Sequence, residues 1–161
     1  MKARADLGPL WVIGWREWLT LPDLRINAIK VKIDTGARSS ALHAFEVEPI
    51  RRRGKAAVRF RVHPYQRDAH RVVVAEAEVI DERTVRSSGG HAELRPVIRT
   101  TAKLRGRIWR IDLTLTNRDE MGFRMLLGRE ALRNRFLVHS GRSFLGGKPG
   151  PRSSKPAPNE R

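Results

Sequence analysis

Residues 29–43 read IKVKIDTGARSSALH, and the fold turns on this stretch. Ile29, Val31 and Ile33 alternate with Lys30 and Lys32, the period-two pattern of a strand with one face in a core and the other in water. The strand runs into Asp34, Thr35 and Gly36, and Ala37, Ser39, Ser40 and Ala41 behind them are small or hydroxylic. An acid at a strand end followed by glycine allows a tight turn that projects the carboxylate while backbone approaches closely. Thr35 and Ser39 supply hydroxyls to orient it. The same tripeptide also reads as an ordinary polar turn in which Asp34 accepts local backbone hydrogen bonds. Taken alone, the tripeptide favours that plainer reading.

Outward from this stretch the pattern stays β. Residues 10–15 are a short apolar run, and Val58, Phe60 and Val62 alternate with Arg59 and Arg61. Residues 71–80 are rich in valine, residues 96–101 read as a short strand, and residues 107–116 place Trp109, Ile111, Leu113 and Leu115 on one face. Apolar residues return at 125–127 and 136–138, and only 129–135 reads as a helix, about two turns long. Six to eight short strands with one terminal helix predict a small closed or sandwich-like β architecture.

The chain has 161 residues, which fits one domain, and no cysteine, which excludes a disulfide framework, thiolate catalysis and Cys-based metal sites. No apolar run approaches the ~20 residues of a membrane-spanning helix, and residues 1–18 lack the apolar core of a secretory signal. These features predict a cytoplasmic protein with no membrane partner. Lys and Arg number 33 against 17 Asp and Glu, a formal charge of +16. The excess lies in residues 51–71, 99–110 and 141–161. Residues 51–55, RRRGK, read as a hairpin tip, either a solvated turn or a phosphate-binding element. The charges of 99–110 alternate with apolar residues and fit the outer face of a strand. The last patch carries four of nine prolines and four of 13 glycines, so one folded domain over 1–145 and a disordered basic tail over 146–161 are expected.

The second informative segment, MLLGREAL at 125–132, is an apolar strand, a glycine and an arginine opening a helix. A strand ending Asp-Thr-Gly-Ala followed about 90 residues later by this pattern resembles the retropepsin-type aspartic peptidases. In that family the later strand packs beside the Asp-Thr-Gly loop. The strings VKIDTGARSSALHA, RPVIRTT and MGFRMLLGRE further resemble the bacterial RimB-like peptidases, often labelled "ATP-dependent zinc proteases" and linked to the RimK-type, ATP-grasp glutamate ligase. The likeness covers residues 12–138. It implies a mainly β, retropepsin-like closed barrel with one short C-terminal helix. The zinc label fits poorly: His-Glu-x-x-His is absent, and His43, His63, His70, His91 and His139 have no paired ligand spacing. No cofactor is expected.

What the resemblance implies for chemistry is residue-specific. Two carboxylates sharing one proton are needed, and this chain has one Asp-Thr-Gly; Asp112 and Asp119 lack the Thr-Gly context. A homodimer follows, with Asp34 catalytic from each subunit, Thr35 bracing the two loops, Gly36 permitting the turn and Ala37 lining the cleft floor. Ser39, Leu126, Leu127 and Gly128 support the loop. Arg86, Ser87, Ser88, Gly89 and Gly90 would form the tip of a flap. The family's ligase link implies an acidic substrate, an oligoglutamate tail on a ribosomal protein or ribosome, for which Arg38, Arg86 and Arg95 are candidate carboxylate partners. A second class stays open, a non-catalytic RNA- or ribosome-binding β-barrel module, as does a peptidase fold inactive on its own.

Overall fold

A computed structural model describes residues 9–65, 70–86, 89–117 and 122–150. Among them are eleven strands, more than the sequence pattern predicts: β1 (Trp11–Gly14), β2 (Arg16–Leu21), β3 (Ile26–Ile33), β4 (Ser40–His43), β5 (Phe45–Arg52), β6 (Lys55–Val62), β7 (Val73–Arg86), β8 (Ala92–Leu104), β9 (Arg107–Thr116), β10 (Met125–Leu127) and β11 (Phe136–His139). The helix α1 is a single turn, Arg129–Leu132, shorter than the two turns expected over 129–135. It stops because Arg133 takes extended ψ (131°) and Asn134 enters the left-handed region (φ 66°).

Six strands close a barrel in the order β2-β3-β10-β4-β9-β8, and the pairing of Thr20 with Lys103 joins β8 back to β2. The expected closed barrel with one short helix is therefore what the chain forms. Strand β8 is long enough to serve two neighbours along one edge, with β7 on its first half and β2 on its second. Strands β7, β6 and β5 continue from the barrel as an antiparallel extension. A separate parallel pair, β1 with β11, brings the two ends of the domain together. Arg53-Gly54 and Arg105-Gly106 make the turns of the β5–β6 and β8–β9 hairpins, both with positive φ (51° and 76°, 48° and 82°). That conformation matches the right-handed strand twist.

The core is the inward set of the barrel. Leu19, Ile29, Val31, Leu42, Ile98, Leu113, Leu115 and Leu127 are all fully buried, each contributing roughly 1.5–3 kcal/mol by leaving water. One carboxylate is enclosed with them. Glu17, 0% exposed, accepts hydrogen bonds from the Gly14 N–H (2.6 Å), the Leu145 N–H (2.9 Å) and the Gly146 N–H (3.0 Å). The segment leading to residue 150 is thus held against β2 and β3: Asn27 donates to the Gly150 carbonyl, and Lys148 lies over the Trp18 ring. Of the tail expected from 146 onward, residues 146–150 carry these contacts, and 151–161 lie outside the described residues.

Candidate active site

The parallel pairing of Val31–Ile33 on β3 with Met125–Leu127 on β10 creates the site. On its other side β10 pairs antiparallel with β4, so the connection from β3 to β4 must pass around the end of β10. That connection is residues 34–39, and its backbone is clamped at each step. The Ile33 N–H donates to the Trp15 carbonyl (2.8 Å) and the Asp34 N–H to the Leu127 carbonyl (2.9 Å). Ala37 closes a turn on the Asp34 carbonyl (3.2 Å), and the Arg129 and Glu130 N–H groups donate to the Ala37 and Arg38 carbonyls (2.8 and 3.1 Å). Leu127 and the start of α1 thus hold the loop along its length.

Within the loop, the half-buried Asp34 accepts the Gly36 N–H through its side-chain Oδ1 (3.1 Å). A Cβ on Gly36 would lie 3.3 Å from that oxygen. Gly128 is required more strictly: a Cβ there would fall 2.4 Å from the Ser39 carbonyl oxygen and 2.6 Å from its carbon. Two further contacts come from residues absent from the expected site. The Arg129 guanidinium donates to the Thr35 carbonyl (3.0 Å), and the buried Ser40 hydroxyl accepts the Gly128 N–H (3.0 Å). Both residues are visible in the strings LLGRE and ARSSALH; their partners are not.

The β7–β8 hairpin reaches the loop through Arg83. Strands β7 and β8 pair from Val79–Ile98 to Arg86–Ala92, so the expected flap tip sits at the hairpin's end, with Arg86 exposed, Gly90 at φ 83°, and Ser87 and Ser88 outside the described residues. From this hairpin the Arg83 guanidinium donates to the Ser39 hydroxyl. Arg83 and Val85 enclose, with Ser39, Ala41, His43 and Met125, a cavity of about 180 Å³. Arg83 carries no signal in the sequence, where ERTVR reads as one more polar strand end.

The candidate carboxylate partners separate in space. Arg38, within the loop, is exposed and forms an ion pair with Glu130 (2.7 Å). The hydrogen bond from Arg38, then its charge, holds the Glu130 carboxyl below the ordinary glutamate value, with Arg133 and Arg83 adding to the effect; the same pair raises Arg38. Arg95 donates to Glu93 (2.6 Å) and Asn117 (3.0 Å) in a different cavity, of about 820 Å³, that includes no residue of the 34–40 loop. Asp112 is paired with Arg99 (2.8 Å) on the β8–β9 hairpin, and Asp119 lies outside the described residues. Among the described residues no three His, Asp or Glu side chains gather as metal ligands, and no helix is long and apolar enough to cross a membrane.

Residues 12–149 match a family described as RimB-like, retropepsin-like aspartic endopeptidase RimB. A Shewanella pealeana protein named "probable alpha-L-glutamate ligase" is 44% identical over 140 residues, which cover 87% of this chain and 31% of that protein. A Desulfotalea psychrophila protein of the same name is 47% identical over 127 residues, 79% of this chain and 27% of its own length. The chain therefore spans about a third of these relatives. A crystal structure of a Legionella pneumophila protein of unknown function (DUF785) superposes with a TM-score of 0.70 at 28% identity, covering 84% of this chain and 98% of that one.

Proposed function

The chain belongs to the RimB-like family of retropepsin-like aspartic endopeptidases, and from that premise we propose that it hydrolyses peptide bonds as a homodimer in which each subunit supplies Asp34. One Asp34 carboxylate takes a proton from a water held between the pair, and the water oxygen attacks the scissile carbonyl carbon. The other Asp34, protonated, gives its hydrogen to the carbonyl oxygen. The tetrahedral intermediate collapses as a proton passes to the amide nitrogen and the C–N bond breaks, leaving a carboxylic acid and an amine. Two like charges about 3 Å apart cannot both ionise, so the pair holds the single proton that this chemistry requires. The observation that carries the reading is the clamped 34–39 loop, with Oδ1 of Asp34 oriented by Gly36 and the loop fixed through Leu127, Gly128 and Arg129.

The proposed substrate is an acidic peptide, with an oligoglutamate tail on a ribosomal protein as the specific case. Relatives that contain a segment like this chain within a protein three times its length carry the name of a glutamate ligase, and a peptidase that removes glutamates is the chemical reverse of such an activity. Carboxylate binding is assigned to Arg83, which touches Ser39, to Arg38 within the loop and to Arg86 at the end of the β7–β8 hairpin; Arg95, with Glu93 and Asn117 as partners, is assigned a lesser part. Thr35 is assigned the brace between the two loops, Ala37 the cleft floor and the β7–β8 hairpin with Gly89 the flap.

The test is cleavage of a peptide with an oligoglutamate tail by the wild type and by Asp34→Asn, each with and without a chelator and an aspartic-peptidase inhibitor. Loss of cleavage in Asp34→Asn with fold retained, inhibition by the inhibitor and indifference to chelator are expected. Cleavage that survives Asp34→Asn, or that the chelator abolishes, overturns the mechanism.

A further inference from the structure

The basic patches of this +16 chain differ in how far their side chains are paired. On the β8–β9 hairpin, Arg99 pairs with Asp112, Arg110 reaches Asp23 (3.3 Å), Arg105 donates to the Leu145 carbonyl and Arg107 to the Pro9 carbonyl. Two of the five basic side chains in this patch are in ion pairs, and Arg105 and Arg107 are tied to backbone carbonyls. On the β5–β6–β7 extension the body is balanced in the same way: Arg59 bridges Glu48 and Glu76 (3.4 and 2.7 Å), and Arg61 pairs with Glu46 (2.6 Å).

The end of the extension is different. Arg51, Arg52, Arg53 and Lys55 surround the two-residue turn at Arg53-Gly54, all four exposed, and among the described residues none makes an ion pair. Two of them are held in place without being neutralised, Arg51 by the Gly54 carbonyl (2.9 Å) and Arg52 by the Glu76 carbonyl (3.2 Å). Protection of the sheet edge does not account for them, since β5 is already guarded by Pro49 and by a bulge between Phe45 and Glu48. The tip also carries no aromatic or large apolar side chain, the anchors on which protein–protein interfaces centre.

From this we infer that the β5–β6 hairpin tip is a docking element for the phosphate backbone of a nucleic acid, a binding function separate from peptide hydrolysis. Three arginine forks and a lysine at one turn suit phosphate oxygens. The condensed counterion atmosphere of a duplex rewards such a cluster through counterion release, whereas an extended acidic peptide has about half a duplex's linear charge density. With no stacking side chain at the tip, the contact positions the protein and reads no bases.

The experiment compares the full chain with the variant R51Q/R52Q/R53N/K55Q, in which asparagine suits the left-handed position 53. Binding to a labelled ~20-nucleotide RNA strand, an RNA duplex and a DNA duplex is followed by anisotropy from about 50 to about 200 mM salt. Loss of four phosphate contacts reduces the log–log salt slope by about 3, so across that range the wild-type affinity falls about 60-fold further than the variant's. Unchanged thermal unfolding shows that the variant is folded. The three arms report which nucleic acid is preferred. An unchanged slope in the variant, or displacement of the RNA by polyglutamate at equal charge concentration, overturns the assignment, the latter in favour of an acidic protein partner.

Discussion

At the scale of single residues, two side chains carry more than their sequence context suggests. Gly128 has no room for a Cβ, because the obstacle is the Ser39 backbone itself. Gly128→Ala therefore displaces the 34–39 loop or strains it, and should cost about 3 kcal/mol in urea unfolding, at the upper end of overpacking penalties. Gly54 is the control. It has positive φ, but a Cβ there would meet nothing within 4 Å, so Gly54→Ala should cost only about 1 kcal/mol. Glu17→Ala leaves three backbone N–H groups without their acceptor, and should cost about 3 kcal/mol or more in the same assay. Glu17 cannot be read from the sequence. In REWLTL it looks like the wet half of a strand, and two of its partners lie 128 and 129 residues away. Asp34, by contrast, is legible because glycine and small residues follow it directly, and its local bond to Gly36 needs nothing distant.

At the scale of elements, the junction between the loop and α1 gives a pH prediction. The Glu130 carboxyl is held below its ordinary value by Arg38, so the folded state binds fewer protons than the unfolded one around that value. Its contribution is present above the unfolded glutamate pKa and is lost as pH falls through the depressed folded value. Thermal unfolding of Glu130→Gln against wild type should show a small deficit at neutral pH that closes on acidification below the glutamate range; a deficit independent of pH contradicts it. The hairpin gives a second prediction. Arg83 sits on β7 but touches Ser39, so Arg83→Ala should raise KM for an acidic peptide about tenfold, the scale of a charged hydrogen bond, and leave a neutral peptide unaffected. The strands themselves are legible where burial alternates cleanly, as at Ile29–Ile33 and Trp109–Leu115. Strand β2 escapes because its inward face includes Glu17 and its outward face Trp18, which inverts the apolar pattern. Strand β5 escapes because it is an exposed edge carrying Pro49, and β4 because its four residues are too few to set a period.

At the scale of the whole molecule, the question is how many subunits complete the chemistry. The β1–β11 pair leaves Val12 and Leu137 exposed (40% and 53%), with Leu10 beside them (45%). Thr35 and Arg129 share a surface concavity with Leu137 and Val138. An apolar face continuous with the 34–39 loop is suited to covering by a second copy related by a two-fold axis, which would bring the Asp34 loops together. Leu137→Glu should then yield a folded monomer without peptidase activity, checked by sedimentation and cleavage on the same sample. Mixing subunits gives a sharper test that requires no interface variant. If active dimers need two Asp34 residues, equal amounts of wild type and Asp34→Asn, allowed to exchange, distribute at random and leave about a quarter of all dimers fully wild type. Cleavage per wild-type subunit then falls to about half. A subunit that draws its second carboxylate from its own chain would keep full activity at every mixing ratio, so the dependence on ratio distinguishes a shared site from a self-contained one.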